Sequence, residues 1–432
     1  MISFDTTTLV KTIVAVGLAV TVWLLLANRH RLGPVLRRHE RLITYLTFVL
    51  LRLVPFVFVY LILDQEPRND VDFFYQKAKA AVQGKLVYRD FLSYHAPLFG
   101  YLISWPLLLW HNARVLVLLM AVMEFIIAKA TLKRFRTGAD APVVWFVVYY
   151  LLPVPFVAMI LFAEEDIWMW GFCLLSLALS PGRRFSLRVG LLWGVGMLTI
   201  KFMLIVFLIP LFFIVPNRFQ YVVGLLLVGL PSLAILYALV GMDFLMPIQH
   251  SSLPMTPNAI SVLRPVLGTW FEQISLTYLN WAGLLATIGG ASLVGYRFRA
   301  IGYARLMPML YIFTFGLFMV CLPSSPGFYL FTHTLPLVFV VLPHEPGQRA
   351  WPVFLLLNVL VVVQPALSII YNHQDLYNGW SAINGPSKWT DYAMQCVEVG
   401  IFVYLLRVVL ARIRVVAGQN QSIGVSSSIP LA

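Results

Sequence analysis

Two aspartates stand one residue apart in the segment DQEPRNDVDFFYQKAKAAVQGKLVYRDFLSYHAP, residues 64–97. Asp70 and Asp72 are close enough to raise one another's pKa, which suits one of them to work as a general base. A solvated acidic loop with no chemistry is the plainer reading of the same pair. Glu164, Glu165 and Asp166 interrupt two apolar runs, MILF before them and IWMW after. A charge inside a span costs on the order of 3 kcal/mol, so acids flanked this tightly have partners or tasks unless they merely tip a hairpin. Lys201 lies in GLLWGVGMLTIKFMLIVFLIPLFF with no other charge nearby. It either snorkels to an interface or holds an anionic group such as a phosphate. Arg264, in SVLRPVL, is a second candidate for that work. His95, in YRDFLSYHAPL with Tyr88 and Asp90, could bind a substrate, orient an acid, or only hydrogen-bond within the fold.

The elements that must position these residues are membrane helices. The chain has 432 residues, of which 60% are hydrophobic and 11% charged, and its mean hydropathy is +0.84. This composition excludes an ordinary soluble domain. The net charge of +13 does not indicate nucleic acid, because the basic residues cluster in short loops between apolar runs. Cys173, Cys321 and Cys396 all lie in apolar runs and are expected as core residues rather than a disulfide or metal framework. The scattered histidines show no metal-ligand spacing, and no Walker loop, dinucleotide fingerprint or serine elbow is present.

Apolar runs recur at the ~20-residue length needed to cross ~30 Å of hydrocarbon. They predict an all-α polytopic membrane protein with about thirteen transmembrane helices. One integral domain is expected over 1–414, followed by a disordered cytoplasmic tail over 415–432. The arginine-rich loop RHRLGPVLRRHER places the N-terminus and the 64–112 segment outside and the C-terminus in the cytoplasm. Within that segment, residues 97–110 are expected to lie at the interface or re-enter. Threading by basic loops also brings Asp70, Asp72, Asp90 and Glu164–Asp166 to one side, although the acids took no part in it. No convincing internal repeat is visible, which weighs against a transporter built from duplicated halves.

The order of Asp70, Phe74–Tyr75, Ala78, Gly84, Tyr88–Arg89–Asp90 and Pro97 after a span resembles the GT-C superfamily of integral-membrane glycosyltransferases. Its polyprenyl-phosphate-dependent, mannosyltransferase-like branch is the nearest in pattern. Asp166 at a span end also matches, as do Gly190, Gly194, Gly196, Lys201 and Pro210. The likeness covers roughly residues 42–216. It departs where the family often has Glu-Tyr-Pro-Pro and this chain has Tyr94-His95-Ala96-Pro97, and in one extra preceding span.

The resemblance implies that Asp70 is the catalytic base, with Asp72 as the fallback. The sugar would pass, with inversion, from a polyprenyl-phosphate donor to an acceptor hydroxyl of a lipid, glycan or protein. Lys201, with Arg264, would hold the lipid phosphate. Asp72, Tyr75, Tyr88, Asp90, His95, Glu164, Glu165 and Asp166 would bind substrate, and Trp168 and Trp270 could stack on sugar rings. No metal is obligatory in this reading, though a divalent cation is allowed. The expected place is a bacterial inner membrane with a periplasmic active site. The competing classes are a transporter or flippase, which would line a path with mid-span charges, and a glycan polymerase or ligase, with large arginine-rich external loops.

Overall fold

The computed structural model describes residues 6–67, 70–136, 141–179, 181–249, 254–268, 273–368 and 376–426. Trp270, His250, Asn372, His373 and Asp375 lie outside the described residues. Among those described, every named element is helical, and the one strand-like pairing is an isolated bridge between Val87 and Phe91.

Among the described residues, six helices are long and apolar enough to cross a membrane: Leu9–Ala27, Glu40–Ile62, Arg114–Arg134, Arg218–Leu245, Tyr303–Cys321 and Gly327–His344. A seventh arises if Pro142–Leu151 and Pro153–Phe162, bent by 60° at their junction, count as one span. Leu152, at that bend, has an extended backbone (φ −61°, ψ 137°), the conformation a following proline favours. The other expected spans correspond to helices too. However, Ile167–Ala178, Phe185–Thr199, Phe202–Ile214 and Ala350–Ala366 fall among the apolar helices of only 10–17 residues, as does Phe99–Leu108, which was expected at the interface and not as a span. A ten-residue helix is about 15 Å long, half of the hydrocarbon thickness. By length, therefore, the expected thirteen is not reached.

Two further expectations change. The arginine-rich loop contains a helix, Arg29–Arg38. The last helix runs from Pro386 to Ser426, so residues 415–426 are helical where a disordered tail was expected.

Close packing of the Phe185–Thr199 and Arg218–Val240 helices explains the glycines around 190. A Cβ on Gly190 would lie 2.2 Å from the Tyr221 carbonyl oxygen, and one on Gly224 would lie 2.3 Å from that of Leu187. Small residues let the two backbones approach, as membrane helices require. Arg52 and Glu124, on two of the long apolar helices, form a fully buried pair. Arg52 Nε and Nη2 donate to Glu124 Oε2 and Oε1 at 2.6 and 2.8 Å, and the Tyr149 hydroxyl donates to Oε1 at 2.9 Å. This two-point geometry compensates the desolvation of both ions.

Candidate functional site

The Pro153–Phe162 helix ends at Ala163, whose backbone is left-handed (φ 49°, ψ 47°). A non-glycine residue there costs of order 1–3 kcal/mol, and such strain persists only where surrounding packing imposes it. The turn delivers Glu164, Glu165 and Asp166 to the N-terminus of the Ile167–Ala178 helix, where the helix dipole favours negative charge. All three acids are buried.

Lys201 interrupts the next pair of helices. Its backbone is extended between Phe185–Thr199 and Phe202–Leu204. Its Nζ lies 2.7 Å from Glu165 Oε1 and 2.6 Å from Asp166 Oδ1. Asp166 Oδ2 accepts from the Thr332 hydroxyl at 3.3 Å, and the Tyr329 ring centroid lies 5.3 Å from the ammonium. Burial acts to discharge Lys201, but Asp166 and Glu165 outweigh it and hold the ammonium well above its ordinary range.

His95 is brought to the same place by the backbone. Ala96 N–H donates to the Ile200 carbonyl at 3.2 Å, and Leu98 N–H donates to that of Leu198 at 2.9 Å. The Tyr88 hydroxyl donates to the His95 carbonyl at 2.7 Å. The imidazole stacks on Phe99 at 4.5 Å and meets Phe74 edge-on at 5.3 Å. Its Nδ1 lies 2.8 Å from Lys77 Nζ and its Nε2 lies 3.0 Å from Glu165 Oε1. An ammonium only donates, so Nδ1 accepts and the ring proton is assigned to Nε2, which donates to Glu165. The ring is therefore neutral. Burial is the main cause that lowers its pKa to about 4, against the opposing pull of Glu165.

Asp70, Phe74 and Lys77 fall at i, i+4 and i+7 of the Asp70–Val82 helix and share one face. Phe74 and Lys77 are buried, while Asp70 is exposed at the helix start. Burial lowers Lys77 to about 8, opposed by Glu165 and Asp70. Loss of hydration raises the Asp70 carboxyl, and Glu165 raises it further.

The four carboxyls are not equivalent. Glu164 is held well above its ordinary range by burial, then by Asp166 and Asp70. Its hydrogen bond with Asp70 acts to lower the Asp70 carboxyl, against the rise that burial and Glu165 impose on it. Burial also acts to raise Glu165, but Lys201 and His95 win and hold it well below the ordinary range. Its Oε2 is buried without a hydrogen-bond partner. Asp166 is raised by burial, against Lys201. Glu164, Glu165 and Asp166 offer oxygens within 4.8 Å of one another, close enough to share a cation, and the Lys201 ammonium already bridges two of them.

Not every expected residue belongs to this cluster. Asp72 is exposed and makes no hydrogen bond or ion pair among the described residues. Tyr75 carries Lys79 Nζ over its ring at 4.5 Å. Asp90 closes its own loop, accepting from Leu86 N–H at 2.8 Å and from Arg89 at 2.9 Å. No hydrogen bond or ion pair among the described residues joins Arg264 to the cluster, and its Nε is buried without a partner. Conversely, Lys77, Tyr329 and Thr332 were not among the expected site residues. The i+7 spacing from Asp70 could have found Lys77, whereas no local signal marks Tyr329 or Thr332. Family models, curated proteins and solved structures yield no match to this chain.

Proposed function

We propose that this cluster is the active site of an inverting GT-C-type glycosyltransferase that takes its sugar from a polyprenyl-phosphate donor. The observation that carries this reading is the division of roles among the carboxyls. Asp70 stands exposed at the start of its helix, where it can accept a proton, and the buried Glu164 that hydrogen-bonds to it is held above its ordinary range. Asp70 takes the proton of an acceptor hydroxyl. That oxygen attacks the anomeric carbon from the face opposite the phosphate. The bond from carbon to phosphate oxygen breaks, and its electron pair leaves on the lipid phosphate, whose charge rises. Lys201 has three N–H donors, two directed at Glu165 and Asp166. The third is available to the leaving phosphate.

The surroundings suit a lipid-linked donor. Leu92, Leu98, Leu102, Trp105, Leu108 and Leu109 are exposed on the segment that also carries His95. This apolar rim would hold a polyprenyl chain beside the polar cluster. The acceptor is a lipid, glycan or protein hydroxyl. The chain would sit in a bacterial inner membrane with about thirteen crossings and a periplasmic site, the bilayer thinning locally around its short helices. No obligatory metal is proposed, because Lys201 supplies the positive charge. The Arg52–Glu124 pair is locked at two points, which favours a structural anchor over a transport path.

The test is sugar transfer by the purified protein in nanodiscs from a radiolabelled hexosyl polyprenyl phosphate to membrane-derived acceptors. Transfer that persists in chelator is expected. Solute uptake into proteoliposomes without any transfer would overturn the proposal.

A further inference from the structure

A second buried polar cluster lies outside the site above. Asp391, Gln395 and Glu398 fall at i, i+4 and i+7 of the Pro386–Ser426 helix and so share one face. Gln364, on the Ala350–Ala366 helix, and Tyr377 meet them there. Asp391 accepts from Gln364 Nε2 at 2.7 Å, from the Tyr377 hydroxyl at 2.6 Å and from Gln395 Nε2 at 3.2 Å. Each of the five residues is at most 1% exposed.

The hydrogen bonds leave a surplus of acceptors. Both glutamines turn their amide nitrogens to Asp391, and their Oε1 atoms are buried without a donor. Flipping either amide would set its oxygen against the Asp391 carboxylate, acceptor against acceptor. Both oxygens of Glu398 are also buried without a partner, and Glu398 pairs with no cationic side chain among the described residues. Four unfilled oxygens beside a second carboxylate require positive charge or donors. A proton on Glu398 could satisfy only one other acceptor. A cation held among them would supply that charge.

We propose that Glu398, Gln364, Gln395 and Asp391 form a binding site for a hard metal cation of the sodium or calcium type. Calcium takes six to eight oxygens, including carboxylates and glutamine carbonyls, in adaptable geometry, whereas magnesium demands a near-ideal octahedron and retains water. The site also touches a loop that leads toward Lys201. A Cβ on Gly327 would lie 3.6 Å from Glu398 Oε2, and two residues further on is Tyr329, whose ring faces the Lys201 ammonium. The cation site is independent of the sugar-transfer reading.

The experiment uses the full-length protein in detergent, stripped with chelator into choline chloride. Thermal unfolding and calorimetric titration then follow the addition of calcium, sodium or magnesium chloride. Calcium or sodium should raise the melting temperature in a saturable way, with a heat of binding, and magnesium should act more weakly. Glu398→Gln should abolish the response, yet melt no lower than wild type in ion-free buffer, because an unpaired buried charge is gone. Should that variant fail to fold, Gln364→Met must still weaken the response. Identical melting in every salt with no binding heat would overturn the proposal and leave Glu398 as a protonated acid. An undiminished response in Glu398→Gln would reveal an adventitious ion only.

Discussion

Replacing Lys201 with methionine keeps the length of the side chain and removes the ammonium between Glu165 and Asp166. The side chains of both acids are 1% exposed and that of the lysine 15%, so little solvent screens these contacts. Breaking a buried pair by deleting one partner costs about 3–5 kcal/mol. Glu165 keeps its hydrogen bond from His95, so the lower end of that range, about 3 kcal/mol, is expected at neutral pH.

The sign of the pH dependence follows from the carboxyls. In the wild type Glu165 sits below its unfolded value, so its contribution is present above that value and is lost as pH falls through the folded one. In Lys201→Met the buried acids move above their unfolded values of about 4. Their penalty is then absent below pH ~4 and grows as pH rises through the shifted values. The measurement is thermal or denaturant unfolding of both proteins in detergent across pH 5–8. A deficit that widens toward pH 8 is expected. A deficit under ~1 kcal/mol, as for a surface pair, or one that does not change with pH, would refute the buried-bridge argument.

Other consequences concern the neighbours. If the Lys77 charge assists the reaction, the rate should fall as pH rises through about 8, and Lys77→Arg should carry that limb to higher pH. The acid limb should lie above the ordinary aspartate value, because the hydration its carboxyl loses beside the buried acids, and the charge of Glu165, raise Asp70. In the membrane helices, Glu124→Ala should cost about 3–5 kcal/mol, whereas the double change Arg52→Met with Glu124→Met should cost far less, measured by unfolding of the three proteins.

The chemistry-bearing residues were more legible than the architecture. Lys201 and Glu164–Asp166 stood out because each interrupts an apolar run, and their meeting needs only that they occupy the same end of neighbouring helices. The bond from His95 to Glu165 spans 70 residues and depends on the Ala96 and Leu98 backbone contacts with the Leu198–Ile200 helix end, which no local pattern encodes. Asp90 looked like a site residue beside Tyr88, but nearby Arg89 and Leu86 N–H hold its carboxylate. Hydropathy located the helices but not their lengths, because it registers apolar runs and not the breaks that proline and lysine introduce within them. It also passed over Arg52 and Glu124, since a single charge barely moves a window average and their pairing joins residues 72 apart.

The most direct test of Asp70 as the base compares Asp70→Asn and Asp72→Asn with the wild type for sugar transfer from a polyprenyl-phosphate hexose in nanodiscs. Loss of a general base lowers the rate by roughly 10²–10⁴. A drop of that size in Asp70→Asn, with donor binding retained and Asp72→Asn near wild type, is the predicted result. Transfer unchanged in Asp70→Asn would contradict the account.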